Sequence, residues 1–295
     1  MNDRKQHVIN MAHQLFIDKG YQATSIQDIL DYSGISKGTF YNYFSSKSEL
    51  LIALFKSIYQ RLEIERNELL IGQDPSNIEI FIKQIELQMK TSKENELLSL
   101  FQEVLVLNDP DLNLFLKQSN LLSIHWLYKR FIDIFGESKK PYLLDCAIMF
   151  MGILHQNIKY NVIAYEEKNM SIYRIVRYSV ERVAKMVEEV SQTGEILIQP
   201  EILESLLPNC NNADKTFKQT LSHIVLEIKM NLHENKAKAK NIELLDFIQD
   251  ELLNAEKPRK YLIESILISL KEEKSLSEKN QVQALEQLIS DYFSR

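Results

Sequence analysis

The chain has 295 residues, a net charge of −6, and only 7 glycines and 6 prolines. That length allows more than one domain, and few breakers beside many Leu, Ile, Glu, Lys and Gln argue for an all-α chain. No apolar run reaches membrane-spanning length, the charged Met-Asn-Asp start is no signal peptide, and two cysteines, Cys146 and Cys210, make no disulfide framework, so the cytoplasm is expected.

A first helix is predicted from about Arg4 to Lys19, with Val8, Ile9, Ala12, Leu15 and Phe16 as its apolar stripe. Ser25, with Asp28 three residues on, resembles a capping box, and Ile26, Ile29 and Leu30 then repeat at helical spacing. Gly34 can take the left-handed conformation that ends such a helix. Ser36 is a good N-cap for a third helix over about Lys37–Phe44. Phe40 and Phe44 fall on its buried side. Lys37, Thr39, Asn42 and Tyr43 fall towards solvent, and Tyr41 lies near the boundary. Two short helices across a glycine turn, the second rich in small polar and aromatic side chains, are laid out as a DNA-reading helix-turn-helix. The bland alternative is an ordinary helix pair in an all-helical protein.

The particular residues narrow this. Phe16 with Gly20-Tyr21, Thr24-Ser25, Asp28-Ile29, the run Ser33-Gly34-Ile35-Ser36-Lys37-Gly38-Thr39-Phe40-Tyr41-Asn42-Tyr43-Phe44, and Lys47 with Glu49-Leu50 together resemble the N-terminal domain of TetR-family transcriptional regulators, over roughly residues 5–55. Tyr32-Ser33 and Asn42 depart mildly from the family pattern. The resemblance implies that Thr24, Ser25, Lys37, Thr39, Tyr41, Asn42, Tyr43 and Lys47 face double-stranded DNA. Tyr43 and Lys47 would hold phosphates, as would Thr24 and Ser25 at the start of the second helix, while Lys37, Thr39, Tyr41 and Asn42 would lie nearest base edges. Within residues 1–50 the bases Arg4, Lys5, Lys19, Lys37 and Lys47 balance the acids Asp3, Asp18, Asp28, Asp31 and Glu49. A neutral head should hold DNA weakly and salt-sensitively on its own, which favours two heads on one dimer.

The expected organisation is a head at 1–50, a helical ligand-binding and dimerisation body at 51–200 and a helical extension at 211–295. A fourth helix should run from Lys47 to about Leu70, with a break at Gly72–Ser76. Body helices are predicted near Ile78–Thr91, Glu94–Leu107, Asp111–Gly136, Pro141–Glu166 and Ser171–Thr193. The last two carry apolar residues on more than one side, which suggests a partner-facing surface. The family resemblance implies a homodimer through that pair. Phe101, Trp126, Met149 and His155 are candidates to line an effector cavity, although aromatics and Met at helical spacing also suit a core. Cys146 reads as a buried, reduced thiol, with redox sensing as the alternative.

Four further amphipathic helices follow Pro208–Asn212. Their stripes are Phe217, Leu221, Ile224, Val225, Ile228 and Leu232; Ile242, Leu245, Ile248 and Leu252; Leu262, Ile266, Leu267 and Leu270; and Val282, Leu285, Leu288 and Ile289. Breaks are expected at Asn235–Asn241, Glu256–Pro258 and Ser275–Lys279. Such helices bury their stripes only against other helices, as a bundle bracing the dimer, a docking module or a lid. The Lys236–Lys240 cluster could touch a phosphate or be a solvated loop. No metal or cofactor site and no catalytic constellation is recognisable, so no enzyme is expected. The sum is a homodimeric regulator, nucleoid-associated when bound: a repressor on a palindromic operator released by an apolar or amphipathic small molecule, or alternatively a DNA-bound scaffold whose tail recruits a protein partner.

Overall fold

The computed structural model describes residues 3–107, 109–165, 171–207, 212–232, 238–255, 258–272 and 280–293, and among them every regular element is helical. The chain forms two compact units, one of Asn2–Leu69 with Asp74–Pro208 and one built from Asn209–Arg295.

In the first unit, α1 (Asp3–Lys19) packs on α2 (Ile26–Ser33) and α4 (Lys47–Glu68), with the short α3 (Lys37–Tyr43) between them in the chain. The local chemistry sets these boundaries. Ser25 and Asp28 close a reciprocal capping box at the start of α2, and Gly34 ends it at φ 68. The Ser36 hydroxyl accepts from Thr39 N at 3.1 Å, and the Ser46 hydroxyl accepts from Glu49 N at 3.0 Å, which starts α3 and α4 in turn. The core beneath them, built on Val8, Ile9, Phe16, Ile29, Phe40, Phe44 and Leu51, does not stop at residue 50. It takes in Leu97, Leu100 and Val104 of α6 (Leu97–Leu107) and Leu112 of α7 (Pro110–Phe135). Phe55 of α4 stacks on Phe101 at 4.8 Å and on Phe115 at 5.8 Å between ring centroids. The expected head and body therefore share one core.

A second core lies among α5 (Ile78–Glu94), α7, α8 (Lys140–Tyr165) and α9 (Ile172–Thr193). Phe131 sits at 5.6 Å from Phe81 and 5.8 Å from Phe150, so three buried rings lock three helices. Sequence periodicity missed α10 (Pro200–Leu206), a helix of 7 residues whose Leu203 joins this core. The buried Asp145 carboxylate accepts from Leu197 N at 2.7 Å and Ile198 N at 3.1 Å and so holds the segment leading to it. Cys146 is buried on α8, and burial pushes its thiol up to about 11. It should resist iodoacetamide at neutral pH in the folded chain by at least about tenfold relative to the denatured chain, read by peptide mass spectrometry.

The second unit pairs α11 (Asn212–Met230) with α12 (Lys238–Asn254) and α14 (Asn280–Phe293), and closes through α13 (Lys260–Glu272). Phe217, Leu221, Val225, Leu245, Ile248, Leu267, Leu270, Val282, Leu285 and Ile289 are buried together, so this unit has its own core. Two expectations need correction. The inward residue at the start of α13 is Ile263, not Leu262, because Ile263, Leu267 and Leu270 are the set spaced i, i+4, i+7 that reaches the core. The break expected at Asn235–Asn241 is shorter, since α12 already begins at Lys238 and buries Asn241. Residues 235–237, 256–257 and 275–279 of the expected breaks, residues 208–211 with Cys210, Lys236 of the basic cluster and the predicted end at Glu166 lie outside the described residues.

Candidate nucleic-acid interface

α3 is only 7 residues long and is anchored by one buried side chain, Phe40, which meets Phe44 at 5.7 Å. That anchor fixes which side faces out. Lys37, Tyr41 and Asn42 are exposed, Tyr41 at 47 %, and Thr39 and Tyr43 are half-buried. Lys37 forms no ion pair among the described residues, so its ammonium is available to an anion. The Thr39 and Ser36 hydroxyls share a hydrogen bond at 2.9 Å. Tyr41 sits edge-on to Phe40 and Tyr43 edge-on to Phe44, so both rings are held by packing and lose little freedom on docking.

Ser25 is exposed, but its backbone N–H donates to Asp28 Oδ2 at 2.8 Å, while Asp28 N donates to the Ser25 hydroxyl. Lys19 bridges to the same Asp28 carboxylate at 2.9 Å. These bonds, Ser25's first, hold the Asp28 carboxyl far below the usual carboxylate range.

Two residues expected to face DNA are engaged within the protein. Thr24 is fully buried, and its hydroxyl donates to Gly20 O at 2.8 Å and Leu15 O at 3.3 Å, so its side chain cannot reach a phosphate. The Lys47 ammonium donates to Tyr21 O at 2.8 Å and Thr24 O at 2.7 Å and lies 4.3 Å over the Tyr21 ring. It ties down the turn before α2 instead of projecting outward. In exchange, the structure adds residues that the motif did not suggest. Asp3, Arg4 and His7 of α1 line a groove of about 440 Å³ with Gly34, Ile35, Ser36 and Thr39. No spacing rule connects residue 7 to residue 36, so this groove was not legible in the chain.

The effector candidates are not brought to one place. Phe101 is half-buried against the first core, whereas Trp126 and Met149 pack on the second. His155 is exposed on α8, outside the core, which leaves the partner-facing alternative for it.

A capped helix pair across a left-handed glycine, presenting Lys37, Tyr41 and Asn42 from a rigid base, defines a helix-turn-helix DNA-binding protein. The comparisons agree. The profile of the bacterial regulatory proteins of the tetR family matches residues 8–54. The uncharacterized HTH-type transcriptional regulator YerO of Bacillus subtilis (strain 168) is 29 % identical over 281 residues, covering 92 % of this chain and 90 % of that protein. Coverage of that extent necessarily runs into the C-terminal extension, so the extension is shared with this relative. Two others match over short stretches: the transcriptional activator FasR of Mycolicibacterium smegmatis, 36 % identical over 19 % of this chain and 25 % of its own, and the transcriptional repressor KstR2 of Mycobacterium tuberculosis, 34 % identical over 19 % and 28 %. No solved structure matches. Residues 8–54 are therefore a TetR-type DNA-binding domain, and the chain is similar over most of its length to a transcriptional regulator.

Proposed function

We propose that the protein is a homodimeric repressor that places two heads in successive major grooves of a near-palindromic operator and lets go when an apolar or amphipathic effector enters the body. The observation that carries this reading is the outer face of α3, where Lys37, Tyr41 and Asn42 are exposed on a helix pinned by Phe40. Ser25, Thr39 and Tyr43 complete the contact set. The dimer is supported by apolar side chains left exposed on α8 and α9, among them Ile148, Ile163, Tyr173 and Tyr178. Similar stretches occur in a protein named an activator and in one named a repressor, so that likeness does not set the sign of regulation. No helix among the described residues is long and apolar enough to cross a membrane. The working place of a protein that holds an operator is the cytoplasm, on the nucleoid.

Genomic-fragment selection with the purified chain at moderate salt, followed by gel shift, tests the reading. Enrichment of one palindrome is expected, with two chains per site; a folded protein that enriches nothing would overturn it. Tyr43→Phe separates phosphate from base contacts. Losing one hydroxyl should weaken all sequences alike by about 1 kcal/mol, roughly fivefold. A change confined to sequence preference would move Tyr43 into base readout.

A second reading has its own observation. The C-terminal unit closes its own core and still leaves Tyr261 83 % exposed, with Ile268 and Leu262 also outside. A scaffold role for that unit predicts that removing residues 209–295 leaves operator binding intact and loses a co-purifying partner. A bracing role predicts a weaker operator complex instead.

A further inference from the structure

The last two turns of α4 carry a cation in an unusual position. Tyr59, Leu62 and Arg66 repeat at i, i+3, i+7 and form one stripe of the helix. The Arg66 guanidinium lies 4.0 Å over the ring of Trp126 on α7, and its Nη1 donates to the neutral Gln88 Oε1 at 3.3 Å. Its Nε is buried without a hydrogen-bond partner, and no acid forms an ion pair with it among the described residues. Glu63, one turn back, is exposed and lies beyond ion-pair distance. Burial draws the guanidinium down to about 10.

Arg130 shows what a structural arginine looks like in the same neighbourhood. It is buried, and each of its nitrogens is used: Nε donates to Gln84 at 2.9 Å, Nη1 to the Asp133 carboxylate at 2.7 Å, and Nη2 to Pro75 O at 3.0 Å. Gln84 also donates to the backbone carbonyl of Arg66 at 2.9 Å, so the two arginines share one scaffold. Only one of them has its anion. A desolvated cation with an unused donor is costly unless something pairs with it, and the Arg fork suits carboxylate and phosphate. The surroundings are apolar. Trp126 stacks over Phe81 at 6.2 Å, and Leu122, one turn earlier on α7, is exposed.

We propose that Arg66 is the head-group reader of a ligand site in the body, and that the effector is an amphiphile with one anionic head, carboxylate or phosphate, on an apolar chain. The inference rests on reading the body as the effector domain and names the chemistry of that effector. Because Nε is closed to solvent, the anion reaches it only when a covering side chain moves aside. Arg66 stands at the end of the helix that begins beside the DNA-reading head, so a ligand preferring the opened arrangement biases α4.

Trp126 is the single tryptophan of the chain, which makes it the reporter. Dodecanoate, dodecyl phosphate, dodecanol and dodecylamine are titrated below their aggregation limits while Trp126 emission is followed, with calorimetry as a second readout. The two anions should change the emission saturably and bind about tenfold or more tighter than the alcohol or the amine, as a charge-assisted bond gives. Their ratio tells carboxylate from phosphate. Arg66→Gln should erase the preference for the anion over dodecanol, and Arg66→Lys should keep part of it, with circular dichroism checking the fold of both. Equal binding of acid and alcohol, no binding of either anion, or an unchanged preference in Arg66→Gln would overturn the proposal. The titration contains no DNA, so a chain that binds dodecanoate yet keeps its operator would sink the release mechanism and leave the site standing.

Discussion

Replacing Phe40 with alanine should abolish operator binding by unseating α3. Phe40 is the one buried side chain of that helix and is fully enclosed, so the change removes a ring and leaves a cavity where the short helix has no other anchor. The expected cost is about 3–5 kcal/mol, a large share of the stability of any domain. The melting transition of the first unit should fall by roughly 10 °C. Because the second unit has its own core, its transition should stay in place. Tyr41→Ala is the counterpart on the same helix. Tyr41 is half exposed, so the melting curve should move by less than about 0.5 kcal/mol. Operator affinity should nonetheless drop by about 1–3 kcal/mol where the ring faces a base edge. Calorimetry and gel shift on both variants separate the residue that holds the reader from the residue that reads. Unchanged DNA binding in Tyr41→Ala would remove Tyr41 from the interface.

Asp109→Ala should destabilise the first unit by about 2–4 kcal/mol. Asp109 has two tasks. One oxygen caps α7 by accepting from Asp111 N at 3.0 Å and Leu112 N at 3.1 Å, and the other accepts from the Ser48 hydroxyl at 2.6 Å in the first turn of α4. Loss of the cap costs about 1 kcal/mol and loss of a bond to a charged acceptor about 1.5–3 kcal/mol. The Ser48 hydroxyl first, then the Leu112 N–H, hold the Asp109 carboxyl below its ordinary value. A depressed carboxyl stabilises the fold above its unfolded value, near pH 4, and that contribution disappears as pH falls through the lower folded value. The gap between wild type and Asp109→Asn in urea unfolding should therefore be wide at pH 6 and narrow progressively as pH falls below about 4. An equal gap throughout would mean that the charge contributes nothing.

What the sequence disclosed and what it hid divide along physical lines. The caps were legible because they are local: Ser25 with Asp28, Gly34 and Ser36 act within four residues of themselves and stand as expected. Long amphipathic helices were legible because their period repeats over many turns. α10 was not, because seven residues hold too few apolar positions to show a period. The inward face of α13 slipped by one residue because Leu262 and Ile263 are both apolar, and only packing chooses between them. Thr24 and Lys47 are expected from the family resemblance to face DNA, but their donors bond to carbonyls at and near the turn between α1 and α2, and no one-dimensional pattern shows where a carbonyl points. The effector candidates are scattered for the same reason: aromatic residues at helical spacing do not say which of two cores they join.

The core that runs from α1 into α6 and α7 bears on how such regulators can be recombined. A chimaera cut at residue 50, keeping the reader and exchanging everything after it, would strip Leu51, Leu54, Phe55, Leu97, Leu100, Val104 and Leu112 from the packing around Phe16 and Phe44. Its new body would have to offer matching knobs at matching heights. If α3 reads the operator as proposed, specificity is exchanged most cheaply by changing its side chains in place. A graft that preserves the graft donor's own α6 and the start of its α7 along with its head is the next smallest unit that should fold.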